Sequence, residues 1–96
     1  MLVKLTEVCS NGAVTTNKLY SLREIFINPE HVVMIREEKR MKELNERGKV
    51  AANLDEAHRF SKLTINRGQS GTEIIVVGSP ETIESTLNKG KQLLRG

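Results

Sequence analysis

The sequence predicts an α+β domain. It has a small, mostly antiparallel β-sheet of four to five strands, a C-terminal helix, and a long charged excursion inserted between two strands. Three observations carry this. Lys62 to Asn66 alternates polar and apolar residues with period two, the pattern of a half-buried strand. Glu73 to Val77 is β-branched and apolar on both faces, as a covered central strand is, and the glycines of Arg67-Gly68-Gln69-Ser70-Gly71 join the two as a hairpin. After Gly78, the run Ser79-Pro80-Glu81-Thr82 opens a helix: Ser79 can cap it, Pro80 suits the first helical position, and Glu81 favours the positive end of the dipole.

The remaining elements follow in chain order. Leu2 to Val8 is an opening strand with Val3 and Leu5 on one face and Leu2, Thr6 and Val8 on the other. Ser10-Asn11-Gly12 is a turn, and the Thr-rich Ala13 to Leu19 fits either a second strand or a loose loop. Tyr20 to Asn28 is a strand around Ile25-Phe26-Ile27, ended by Asn28-Pro29 because the residue before a proline is pushed out of the α region. Val32-Val33-Met34-Ile35 has no helical period, so a turn at Pro29 and a strand from His31 to about Glu37 is favoured over a helix reaching Glu46. Residues 37–60 are the excursion, with Met41, Leu44, Val50 and Leu54 as its larger apolar groups. They read as a long loop with one or two short helical turns, one of them capped by Asn53-Leu54-Asp55-Glu56. Such a loop suits a solvated or disordered excursion, or an arm that binds a partner. Gly90, between Lys89 and Lys91, ends or frays the last helix. The expected core is Leu5, Ile25, Ile27, Val33, Ile35, Leu63, Ile65, Ile74, Val76, Ile83 and Leu87.

Ninety-six residues make one domain, 1–96, and 38% hydrophobic residues supply a modest core without disulfides. The one cysteine, Cys9, has no partner in the chain, which fits a cytoplasmic protein. No apolar run approaches the roughly 20 residues of a membrane span, and Met1-Leu2-Val3-Lys4 is too quickly charged for a signal peptide. The net charge of +3 is a weak excess. Residues 36–62 hold eight basic and six acidic side chains, interleaved rather than blocked.

No constellation for catalysis emerges, and no catalytic, cofactor-binding or metal residues are assigned. His31 and His58 read as solvated surface groups, and Cys9 as a small residue of the buried type. Gly68-Gln69-Ser70-Gly71 lacks the Lys-Ser/Thr ending of a phosphate loop and joins two strands. Glu37 and Glu38 are neighbours on opposite faces, a poor arrangement for an acid and a base. Of three aromatic residues, Phe26 belongs with the core, leaving Tyr20 and Phe60 as surfaces on which a base could stack. The candidate partner-binding residues are Arg36, Lys39, Arg40, Lys42, Arg47 and Lys49. With Lys89, Lys91 and Arg95 they form the alternative, a weak RNA or DNA contact.

Lys4-Leu5-Thr6, Asn28-Pro29-Glu30-His31-Val32, Leu63-Thr64-Ile65-Asn66 with Gly68, and Val76-Val77 followed by Ser79 to Ile83 stand in one order along about sixty residues. In that order the chain resembles the small FlbD/SwrD-type proteins of flagellar operons and similar short orphan proteins of phage genomes. The resemblance implies a small, mostly antiparallel sheet with a C-terminal helix and a non-enzymatic accessory role in a bacterial or phage setting. Residues 37–60 have no counterpart in that pattern, and no site residues carry over. The expected function is a cytoplasmic accessory or regulatory protein that binds another protein. A homo-oligomer, most simply a dimer, is also expected, through strand residues of Leu2 to Val8 and His31 to Ile35, with the excursion helping to cover the seam.

Overall fold

The computed structural model describes residues 2–10, 20–48, 50, 54–55, 57–66, 68 and 71–95, with side chains described as far as residue 89, position 10 excepted. Period-two segments become strands β1 (Val3–Ser10), β2 (Tyr20–Ile27), β3 (Val32–Glu37), β4 (Phe60–Asn66) and β5 (Gly71–Val77). Two helices accompany them, α1 (Lys39–Glu46) and α2 (Pro80–Arg95). The strands form one sheet in the order β2-β1-β5-β4-β3, each neighbour antiparallel to the next. The predicted cap holds: Ser79 Oγ accepts from the amide of Thr82 at 3.2 Å, with Pro80 and Glu81 in the first turn of α2.

This topology forces the sheet to curl. Four antiparallel steps make the outer strands β2 and β3 run the same way. In a flat sheet the end of β2 and the start of β3 would then lie at opposite corners, separated laterally alone by about 19 Å. Yet only Asn28 and the single 3-10 turn Pro29–His31 join them, a reach of at most about 18 Å even if fully extended. The turn is fixed by Asn28, whose Oδ1 accepts from the Glu30 amide and whose carbonyl accepts from the His31 amide, both at 3.0 Å. The sheet is therefore strongly curled, with β2 and β3 remaining its outer strands. Between β1 and β5 the register rests, among the described residues, on the single pair Glu7–Val76, whereas β1–β2 pairs along all eight residues.

Alternation assigns apolar side chains to two faces. The inner face gathers Val3, Leu5, Ile27, Leu63, Ile74 and Val76, with Ile83 and Leu87 of α2 packed onto them. Burying such a side chain is worth roughly 1.5–3 kcal/mol each. The outer face gathers Val8 and Phe60 with Met41 of α1 and Val50. In α1 the inward positions Met41, Leu44 and Asn45 fall three and four residues apart, so a helix of mostly charged residues still presents one side to the sheet. Asn45 is buried and its Nδ2 donates to the Asp55 carbonyl at 2.8 Å, tying the far limb of the excursion back to α1.

Several expectations are corrected. The excursion, where described, forms a short helix as expected, but α1 and Val50 cover a sheet face rather than standing free in solvent. Val33 is not core but 59% exposed. Between Val32–Ile65 and Met34–Thr64 the register of β3 slips by one residue, and Val33 is the extra residue of that bulge, so Val32 turns inward in its place. Phe26 is 58% exposed, because Ile25 and Ile27 take the inner face and alternation sends Phe26 the other way. Phe60 is fully buried, and Tyr20 is half-buried against the same outer cluster. β1 is not a sheet edge, since β2 and β5 flank it. α2 runs through Gly90 to Arg95, as an interior glycine costs a helix only about 1 kcal/mol. The segment 13–19 and the cap at Asn53 lie outside the described residues.

Candidate functional site

The curl of the sheet leaves one side of the inner core open. There the last residues of β2 face the end of β4 and the start of β5 across a groove of about 460 Å³. Ile25, Ile27, Ile65 and Ile74 line its floor, and Leu2 and Phe26 stand beside them, 59% and 58% exposed. Asn28, His31 and Thr72 supply the polar groups of the lining. The turn Pro29–His31 positions His31, and the β1–β2 register sets Phe26 opposite Lys4. The arrangement offers apolar surface with a sparse polar rim, suited to receiving apolar side chains.

The basic residues occupy a different place. Arg36 lies exposed on β3, its Nη2 donating to Met34 Sδ at 2.9 Å. Lys39 and Arg40 are exposed on α1, and Arg47 follows the helix, with no ion pair to any of the three among the described residues. Lys42 is engaged by Glu46 at 2.6 Å one turn on. Lys49 is outside the described residues. The charged surface is thus the outward side of a helix whose other side is packed, and Glu43 and Glu46 share it. Lys62 pairs with Glu38 at 3.4 Å, and Glu38 also accepts from the Arg40 amide as the cap of α1. Phe60, being buried, is no stacking platform beside these cations.

One charged cluster was not apparent in the sequence. Arg59 grips Glu37 in a two-pronged contact, Nε to Oε2 at 2.7 Å and Nη2 to Oε1 at 2.8 Å, and its Nη1 stands 3.7 Å from Glu81. Beside it Gly78 donates to the Arg59 carbonyl at 2.7 Å, and Ser61 Oγ, fully buried, donates to the Gly78 carbonyl at 2.8 Å. The Arg59 hydrogen bonds hold the Glu37 carboxyl below the ordinary range, and the Glu37 hydrogen bond raises the Arg59 guanidinium further. This cluster joins the end of β3, the end of the excursion and the first turn of α2. No spacing rule brings residues 37, 59 and 81 together.

His31 and His58 are both exposed. Cys9 is half-buried near the end of β1, its thiol pushed up by burial and then by the charge of Glu7, which Arg23 engages at 3.0 Å. Among the described residues no three His, Cys, Asp or Glu side chains are grouped to hold a metal ion, and no helix is long and apolar enough to cross a membrane. The groove itself had one legible signal: the two-residue period of a strand puts Phe26 on the opposite face from Ile25 and Ile27. Compared with protein families, curated proteins and solved structures, the chain matches none.

Proposed function

We propose that the chain is a small non-enzymatic accessory or regulatory protein of the cytoplasm, which acts by binding another protein. The observation that carries this is the apolar groove flanked by exposed Leu2 and Phe26. A monomer gains nothing in solvation by leaving two large apolar side chains beside an open apolar floor, and such patches mark contact surfaces. The partner contributes apolar side chains to the floor, with Asn28 and His31 available to its backbone. The accessory role is the one implied by the resemblance to the FlbD/SwrD-type proteins. The alternative, nucleic-acid binding through Arg36, Lys39, Arg40 and Arg47, draws less support: acids are interleaved with the cations and Phe60 is withdrawn from the surface.

The test is capture of interaction partners with wild-type protein, Phe26→Asp, and the pair Lys39→Glu with Arg40→Glu. The proposal expects one protein partner to be lost with Phe26→Asp and kept with the charge reversals. Loss with the charge reversals alone, together with a mobility shift of nucleic acid that weakens steeply with salt, would replace it with the alternative.

A further inference from the structure

The sheet is stitched as two bodies. One is the hairpin of β1 and β2, which pair along all eight residues. The other is the meander β3–β4–β5 with α1 and α2. Between them the register, among the described residues, is the single pair Glu7–Val76, whereas the two seams of the meander pair along most of their strands. Polar links respect the same division. Lys4 and Arg23 find their acids within the hairpin, and Arg59 and Lys62 find theirs within the meander and its helices. Among the described residues no ion pair or side-chain hydrogen bond runs from one body to the other. What holds them together is apolar burial: Val3, Leu5 and Ile27 of the hairpin share the inner core with Val76, Ile83 and Leu87, and Val8 joins the outer cluster.

The two bodies differ in what they can do alone. A two-stranded hairpin is at best marginally stable in water, whereas three strands packed on a helix can stand by themselves. In the described chain one covalent connection joins the bodies, Asn28 with the turn Pro29–His31. Hinges form where a few residues at element ends take up the change in backbone angle. This connection is followed at once by the bulge at Val33, where the ladder of β3 is already interrupted. The groove lies on the same boundary. Ile25 and Ile27 come from the hairpin, Ile65 and Ile74 from the meander, and His31 from the connection.

We infer that the β1–β2 hairpin opens from the meander as one unit about the connection 28–31, and that this motion parts the walls of the groove. Native proteins open locally in such cooperative units, at a lower free energy than global unfolding. An apolar occupant of the groove touches both bodies, and so holds the hairpin shut. The inference concerns the walls and not the occupant, so it stands or falls separately from the reading of Phe26 as a contact for another protein.

Native-state hydrogen exchange, resolved by residue on the full chain, tests it. Amides of β1 and β2 are expected to share one protection factor, about ten-fold or more below that of the β4 amides, because a lifted hairpin loses its own pairing. The variant Cys9→Ser/Val76→Cys supplies a second readout. Val76 belongs to β5 but is fully buried at the seam. Measured against a free thiol, alkylation at position 76 should show the protection of the β1 and β2 amides rather than that of β4. Equal protection in β1, β2 and β4 overturns the inference. So does protection in β1 and β2 that declines from one end, which is fraying, or a thiol at position 76 as protected as the β4 amides. Where that variant does not fold, exchange in the wild type decides alone.

Discussion

Val50 tests whether the charged excursion belongs to the fold. It is fully buried in the outer cluster with Met41, Phe60 and Val8. Val50→Ala removes two methyl groups, worth about 1.6 kcal/mol in lost transfer at roughly 0.8 kcal/mol each. A residual cavity on the order of 50 Å³ adds up to about 1.2 kcal/mol. The expected loss is therefore about 1.5–3 kcal/mol. With a slope of about 1–1.5 kcal/mol/M for a chain of this size, the urea midpoint falls by about 1–3 M at unchanged slope. Met41→Ala should cost a similar or larger amount, about 2–4 kcal/mol. Lys39→Ala, exposed on the opposite side of α1, should stay within about 0.5 kcal/mol. If Val50→Ala also stayed within about 0.5 kcal/mol, the excursion would be a solvated loop and its packing against the sheet would be refuted.

Three further outcomes are expected. Gly78 has a φ of 130°, and a Cβ there would stand 3.0 Å from the Ile83 Cδ1; Gly78→Ala should cost about 1–3 kcal/mol, and Gly68→Ala, with a φ of 94° and nothing within 4 Å, should cost less in the same urea titration. The Glu37 carboxyl is depressed by Arg59, so its contribution is complete above the unfolded value near 4.3 and is lost as pH falls through the lower folded value. The stability gap between wild type and Glu37→Gln should accordingly close on acidification from pH 7, and a gap independent of pH would contradict the pairing. The Cys9 thiol is raised by burial and by Glu7; it should alkylate more slowly than a free cysteine at pH 8, and Glu7→Gln should speed it, as the thiolate is the reacting form.

What was legible in the sequence was local. The β4–β5 hairpin and the start of α2 rest on alternation, two glycines and a capped Ser-Pro, all within thirty residues. The faces of β1 followed in the same way. What escaped depends on pairing between distant segments. Strand order placed β1 inside the sheet and left β2 and β3 outside, and nothing within Leu2 to Val8 records that. The bulge that expels Val33 exists only in the register of β3 against β4. α1 was hard to see because Met41, Leu44 and Asn45 are scattered among charges, and because Phe60, the side chain they help to cover, is fifteen or more residues away. The groove follows from a curl dictated by a four-residue connection between two strands that had no known positions beforehand.

The central claim is that the groove beside Phe26 is where a protein partner binds. A photoreactive benzophenone side chain introduced at position 26, and separately at position 40, tests it in intact cells. Irradiation should produce a covalent adduct to a different polypeptide from position 26, and none from position 40. An adduct only from position 40, or none from position 26 while the protein remains folded, would contradict it.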